Sequence, residues 1–128
     1  MENLVNNFWS NKKVVVLGHT GFKGSWLSCS LLLLGSSITG ISLAPKRKKD
    51  IFNLINLGRL IKKNVFLDIR NKKKLSKELI KANPDIIFHL AAQPLVKKSY
   101  LKPEYTYDVN FNGTLNLLNI CKKIRNLK

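Results

Sequence analysis

The sequence has few cysteines and no long apolar run. Its 128 residues include only Cys29 and Cys121, with no Cys-x-x-Cys pair and no Cys/His cluster, so we expect reduced thiols and no metal site. Apolar runs do not exceed four residues, as at 31–34, which is far short of a membrane span. The first residues lack the basic and apolar regions of a signal peptide. We therefore expect one cytoplasmic domain over residues 1–128 and no membrane partner.

Acidic residues are also scarce. The sequence has seven acidic residues and 23 lysines and arginines, which gives a formal net charge of +16 at pH 7. Such a charge would suit nucleic acid or an anionic surface. The basic residues are scattered in small groups, however, and aromatic residues are not interleaved with them as base stacking requires. We expect no specific nucleic-acid partner and a modest preference for anionic ligands. A basic polyanion-binding protein remains an alternative.

The most informative segment is a glycine-rich turn after a short apolar strand. Residues 14–17 are Val-Val-Val-Leu, and residues 18–24 are Gly-His-Thr-Gly-Phe-Lys-Gly. A strand, such a turn and a helix in this order bind pyrophosphate. The first glycine allows a sharp turn, the second admits the phosphates, and the third lets the helix pack on the strand. The spacing is one residue longer than the common G-x-G-x-x-G.

Strand and helix patterns alternate along the rest of the chain. The expected strands are 13–17, 37–43, 64–67 and 85–90, and the expected helices are 22–34, 51–57, 72–82 and one from 103 or 104 towards 124. Short apolar strands are typical of a parallel sheet buried on both faces. Right-handed crossovers then predict a doubly wound, Rossmann-type α/β sheet of strand order 3-2-1-4. In the first helix we expect Phe22, Trp26, Leu27 and the leucines at 31–34 to form the apolar face that packs on the sheet.

This strand order brings the ends of the first and fourth strands into one crevice. The glycine-rich turn leaves the first strand there, and residues 90–93 (Leu-Ala-Ala-Gln) leave the fourth. The two alanines would let a flat ring or a ribose lie against the backbone. Asp68 ends the third strand at the same rim, where its carboxylate can accept hydrogen bonds from an adenine amino group. Plain packing for the alanines and a helix cap for Asp68 are the structural alternatives.

Several segments together form a recognisable set. They are Gly-His-Thr-Gly-Phe-Lys-Gly-Ser-Trp-Leu at 18–27, Asp-Ile-Arg at 68–70 and Phe-His-Leu-Ala-Ala-Gln-Pro-Leu-Val at 88–96. The set resembles the extended short-chain dehydrogenase/reductase family and, within it, the CDP-glucose 4,6-dehydratases, over nearly the whole chain. The resemblance implies a lyase of nucleotide-sugar metabolism, in polysaccharide biosynthesis, that converts CDP-glucose to CDP-4-keto-6-deoxyglucose and water. It also implies bound NAD.

The chain departs from that family in its catalytic residues. None of the three tyrosines has a lysine four residues later, so the family's Tyr-x-x-x-Lys pair is absent and we assign no catalytic residue. We expect the N-terminal, cofactor-binding portion of such an enzyme, an incomplete sheet without the substrate domain. It would be inactive alone, and its partner would be a separately encoded C-terminal half or further copies of itself. Alternatives are a fragment of another extended-family epimerase or dehydratase, and a non-functional remnant.

A second departure concerns the cofactor. Where the family holds the adenosine ribose with an acidic residue, this sequence has Ser42 and then the basic run 46–48. A basic residue there suits the 2′-phosphate of NADP, whereas Ser42 can bond a ribose hydroxyl, and NAD is favoured over NADP. Asn110 matches a structural asparagine in the family's pattern. The full set of expected cofactor contacts is Gly18, Thr20, Gly21, Phe22, Lys23, Gly24, Ser42, Asp68, Ile69, Leu90, Ala91, Ala92, Gln93 and Asn110.

Overall fold

A four-stranded parallel sheet lies at the centre of the computed structural model, which describes residues 7–127. The strands are β1 (Lys13–Leu17), β2 (Ser37–Ser42), β3 (Lys63–Phe66) and β4 (Ile86–His89). Their order is β3-β2-β1-β4, which confirms the predicted Rossmann-type topology. Residues 1–6 and 128 of the predicted domain lie outside the described residues, so its extent stays a prediction.

Helices connect the strands. They are α1 (Phe22–Leu33), α2 (Ile51–Leu54), α3 (Leu57–Leu60), α4 (Lys72–Ala82), α5 (Val96–Leu101), α6 (Pro103–Tyr107) and α7 (Gly113–Cys121), with a π-helical turn at Asp108–Asn112. No helix within residues 7–127 is both long and apolar enough to cross a membrane.

Three helix predictions were wrong in detail. The helix expected over 51–57 is divided into α2 and α3, because Asn56 adopts the left-handed conformation (φ 51°). The long helix expected from 103 contains the π-helical turn and ends at Cys121. The segment expected to be a loop after β4 contains α5, which ends just before Pro103. Local sequence patterns were too short to specify these breaks.

The sheet is covered on both faces by apolar side chains. On one face, Val15 and Leu17 of β1 pack with Leu75 and Leu79 of α4. On the other, the alternate residue Val16 packs with residues of α1, α2 and α3. β4 lies at the edge: within the described part of the chain it pairs only with β1, and its four residues are only partly buried.

The predicted buried face of α1 was wrong. Phe22, Trp26 and Leu33 are 72%, 55% and 90% exposed, whereas of the predicted face only Leu31 is buried. The other buried residues of α1 are Gly24, Ser25 and Ser28. The cause is the close approach of α1 to the turn before it, which leaves no room for large side chains. Small residues therefore face the sheet, although apolarity alone favoured the larger ones.

We predict that Gly24→Ala lowers the free energy of unfolding by about 2–4 kcal/mol. A Cβ at Gly24 would lie 2.1 Å from the carbonyl oxygen of Gly18, and backbone atoms cannot turn away as a side chain can. This strain exceeds the ~1 kcal/mol that alanine gains in a helix. Gly21→Ala is the matched control, because its Cβ would be 3.4 Å from the same oxygen. Urea unfolding would measure both variants, and equal stabilities would contradict the proposed clash.

Candidate functional site

The glycine-rich turn and the segment after β4 meet at the carboxyl edge of the sheet. Gly18 has φ +92°, and a Cβ there would lie 2.8 Å from the backbone nitrogen of Ala91 and from the carbonyl carbon of Leu90. The backbone N–H of Leu90 donates to the carbonyl of Leu17 at 2.8 Å. Gly18 is therefore required both for its backbone conformation and for this close approach. The strand order had predicted that these segments would converge.

The start of α1 faces the crevice with free backbone N–H groups. Gly21 caps the helix without any side-chain hydrogen bond, and the first intrahelical bond runs from the N–H of Ser25 to the carbonyl of Gly21 at 2.9 Å. The N–H groups of the first turn have no intrahelical partner, and the helix dipole makes this end positive. Lys23 is exposed in the same turn. The arrangement suits a bound anion.

Two hydroxyls tie the turn to the end of β2. Thr20 Oγ1 donates to the carbonyl of Leu43 at 2.9 Å and lies 2.8 Å from Ser42 Oγ. Because the single hydroxyl hydrogen of Thr20 goes to Leu43, Ser42 is the donor to Thr20. With its hydrogen on Thr20, the Ser42 oxygen is an acceptor. It is then suited to accept a hydrogen bond from a hydroxyl.

Asp68 lies at the rim in an ionic network that the sequence analysis missed. Arg70 donates to the Asp68 carboxylate at 2.7 Å, reaches Asp108 of the π-helical turn at 3.1 Å, and lies 4.9 Å from the ring centroid of Tyr105. The Arg70 guanidinium holds the pKa of Asp68 below its usual range, although partial burial opposes this. Asp68 is therefore a charged acceptor at neutral pH.

The neighbouring Ile69 contributes only backbone to this rim. Its side chain is buried in the core, where a Cβ on Gly113 would lie 2.5 Å from Ile69 Cδ1. Its carbonyl accepts a hydrogen bond from Asn116 Nδ2 at 3.4 Å. The predicted cofactor contact of Ile69 would thus have to involve main-chain atoms.

Gln93 and Asn110 hold the loop after β4. The backbone N–H of Gln93 donates to Asn110 Oδ1 at 2.7 Å, and Asn110 Nδ2 donates back to the Gln93 carbonyl at 3.1 Å. The Gln93 side chain donates to Thr106 Oγ1 and accepts from the N–H of Leu95. These bonds give both residues a positioning role. Their predicted contact with a cofactor stays a prediction.

Both histidines are committed to the fold. His19, beneath the turn, is fully buried, and its Nε2 lies 2.7 Å from Asn64 Oδ1. Gly40 leaves room for this ring, since a Cβ there would lie 2.4 Å from His19 Cδ2. His89 Nε2 lies 2.9 Å from Thr114 Oγ1. Burial lowers the pKa of each imidazole, so each is neutral at pH 7. No group of three or more metal-ligating side chains occurs within residues 7–127.

Comparisons with known proteins agree with this geometry. A family model described as GDP-mannose 4,6 dehydratase matches residues 15–128. A CDP-glucose 4,6-dehydratase of Salmonella typhimurium is 43% identical over 122 residues, which are 95% of this chain and 34% of that protein. A GDP-mannose 4,6-dehydratase of Vibrio cholerae serotype O1 is 36% identical over 118 residues, 84% of this chain and 31% of that protein.

Solved structures match in the same way. A UDP-glucose 4-epimerase from Brucella ovis in complex with NAD has a TM-score of 0.75 and 26% identity, over 91% of this chain and 33% of that one. A UDP-glucose-4-epimerase from Stenotrophomonas maltophila with bound NAD has a TM-score of 0.73 at 23% identity, over 89% and 34%, and supports the fold alone. The chain thus spans about a third of the length of these relatives.

The buried His19 and the half-buried His89 predict a fold that loses stability in mild acid. Because burial lowers their pKa, the unfolded chain binds protons more readily than the folded chain. The two imidazoles contribute their full stabilisation to the folded state above pH 6.5, the usual pKa of histidine. This contribution decreases as the pH falls below 6.5. We expect the free energy of unfolding, measured by urea titration, to decrease from pH 7.5 to pH 5.5. The decrease should be smaller in His19→Asn and in His89→Asn. An unchanged decrease in both variants would refute this assignment.

Proposed function

The chain belongs to the GDP-mannose 4,6-dehydratase family, and we propose that it supplies the dinucleotide-binding part of a nucleotide-sugar 4,6-dehydratase. One observation carries the proposal: the uncapped start of α1 and the segment after β4 lie together at the carboxyl edge of the sheet, where the Gly18 backbone packs directly against Leu90 and Ala91. The 43% identity to a CDP-glucose 4,6-dehydratase supports CDP-glucose as the substrate of the complete enzyme. Its products would be CDP-4-keto-6-deoxyglucose and water.

The residues present fit a nicotinamide dinucleotide. The N–H groups of Phe22 and Lys23 would bind the diphosphate, and the missing side chain at Gly21 would leave room for it. The charged carboxylate of Asp68 would accept from the adenine amino group. The exposed backbone around Ala92 would border the ribose beyond the diphosphate. A bound nicotinamide would supply hydride chemistry to the reaction.

We propose NAD rather than NADP. A 2′-phosphate has no hydrogen to give and needs donors, whereas Ser42 has committed its hydrogen to Thr20 and can only accept. A ribose hydroxyl is a donor and suits this site. The nearby Arg47 is already paired with Asp50, at 3.1 Å between Nε and Oδ1, which reduces its availability to a phosphate.

We also propose that a second polypeptide segment completes the enzyme. The sequence has no Tyr-x-x-x-Lys, and His19 and His89 are both hydrogen-bonded within the fold. An apolar stripe along α6, the π-helical turn and α7 is exposed to solvent, and it comprises Tyr107, Phe111, Leu115 and Leu118. Together with the free edge of β4, such a surface favours further protein contact. The occupant we propose carries the missing tyrosine and lysine.

The first test is cofactor binding by isothermal titration calorimetry. We expect NAD to bind and NADP to bind more weakly. Gly21→Val should weaken NAD binding at least about tenfold, because its side chain would occupy the space of the diphosphate. Ser30→Val is the matched control on the same helix, since Ser30 is exposed and lies away from the crevice. No NAD binding at millimolar concentration, or equal affinities for the two variants, would disprove a functional site here.

The second test concerns catalysis. The chain alone, with NAD and CDP-glucose, should show no loss of water from the sugar by mass spectrometry, since it lacks the catalytic pair. Joining it to the part of the Salmonella typhimurium dehydratase that follows the matched region should produce dehydration. The same chimera carrying Gly21→Val is the control and should be inactive. Dehydration by the chain alone, or an inactive chimera that is folded and binds NAD, would count against the proposal.

A further inference from the structure

A cavity lies at the amino edge of the sheet, the opposite edge from the glycine-rich turn. Its volume is about 520 Å³, and it is bordered by the first residues of three strands and by the last turn of α4. β1 alone separates the two edges by roughly 13 Å, at about 3.3 Å per residue. The cavity is therefore distinct from the proposed cofactor crevice.

Small side chains explain why this space is open. Strand register pairs Val15 with Thr39 and Thr39 with Lys63, so these residues share the face that α4 covers. Leu75 and Leu79 fill the space between α4 and the sheet further along. At the last turn of the helix the facing residues are Ala82, Ser37 and Thr39, which are too short to fill it.

The Thr39 hydroxyl is the most informative polar group in the cavity. Thr39 is only 8% exposed, and its hydroxyl makes no hydrogen bond to any residue in the described range 7–127. The Thr39 hydroxyl is not among the fully buried, unpartnered polar atoms of the described residues, so it reaches the space of the cavity and can bond to a ligand there. The Ser37 hydroxyl beside it also lacks a partner in that range.

The charge around the cavity is strongly positive. Lys13, Lys62, Lys63 and Lys81 line it, against one acidic residue, Glu78. Glu78 forms an ion pair with Lys63. Lys13, Lys62 and Lys81 form no ion pair within the described part of the chain, although Asp85 accepts from the backbone N–H of Lys13 at 2.9 Å. Lysine ammonium groups and hydroxyl donors together are suited to phosphate oxygens.

We propose that this cavity binds a small phosphate compound with several negative charges. The hydroxyls of Thr39 and Ser37 donate to phosphate oxygens, while Lys62 and Lys81 neutralise the charge. The size of the cavity admits more than a single phosphate group. The proposal does not depend on cofactor binding, because no residue of the glycine-rich turn takes part.

The test is a titration of the 128-residue chain with inorganic pyrophosphate at constant ionic strength, followed by ¹H–¹⁵N NMR. Saturable shifts are expected at the amides of Ser37, Thr39 and Lys63. Shifts at Gly21 and Phe22 report separately on the glycine-rich turn. Thr39→Val, which leaves the charge unchanged, should weaken binding at the cavity by about threefold to tenfold and leave the turn unaffected.

Two double variants that remove the same charge distinguish a specific pyrophosphate site from the general attraction of an anion to a basic protein. Lys62→Gln with Lys81→Gln should weaken pyrophosphate binding at the cavity about tenfold or more. The control, Lys48→Gln with Lys122→Gln, removes the same charge from exposed positions elsewhere. Circular dichroism would establish that each variant is folded. Equal effects of the two pairs, or shifts that bypass Ser37 and Thr39, would overturn the proposal.

Discussion

The close packing of backbone around Gly18 is the constraint on which the rest of the structure depends. Gly24 brings α1 against the Gly18 carbonyl from one side, and residues 90–91 touch Gly18 from another. These two contacts fix the position of the start of α1 at the carboxyl edge of the sheet. They also fix the position of the loop after β4 beside it. It also accounts for the small residues along the inner face of α1, because a helix so close to the strand excludes larger ones.

A second layer of polar contacts positions the rim. Arg70 connects the end of β3 to the π-helical turn through Asp68 and Asp108, and Asn110 in the same turn binds the backbone of Gln93. The rim is thus assembled from segments far apart in sequence. These acidic and amide groups are held by hydrogen bonds within the fold before any ligand arrives, which lowers the entropy cost of binding.

Much of the fold could be predicted from the sequence because it depends on local signals. The strand bounds agree within one residue, and the strand order follows from the right-handedness of the crossover connections. The exposure of Phe22 and the Arg70 network could not be predicted. The first depends on how closely two backbones approach, and the second joins residues 38 positions apart. Neither leaves a periodic pattern in a single sequence.

The π-helical turn at Asp108–Asn112 links two surfaces that would otherwise be independent. A π turn contains one residue more than an α turn. It therefore changes the direction in which the side chains of the following helix point. Asn110, which bonds to the Gln93 backbone, lies within this turn, and the turn stands between Tyr107 and the exposed Leu115 and Leu118. Deleting one residue there would rotate α7 by about 100°. A deletion or insertion in this turn would therefore disturb the contact with Gln93 and the outer apolar stripe together.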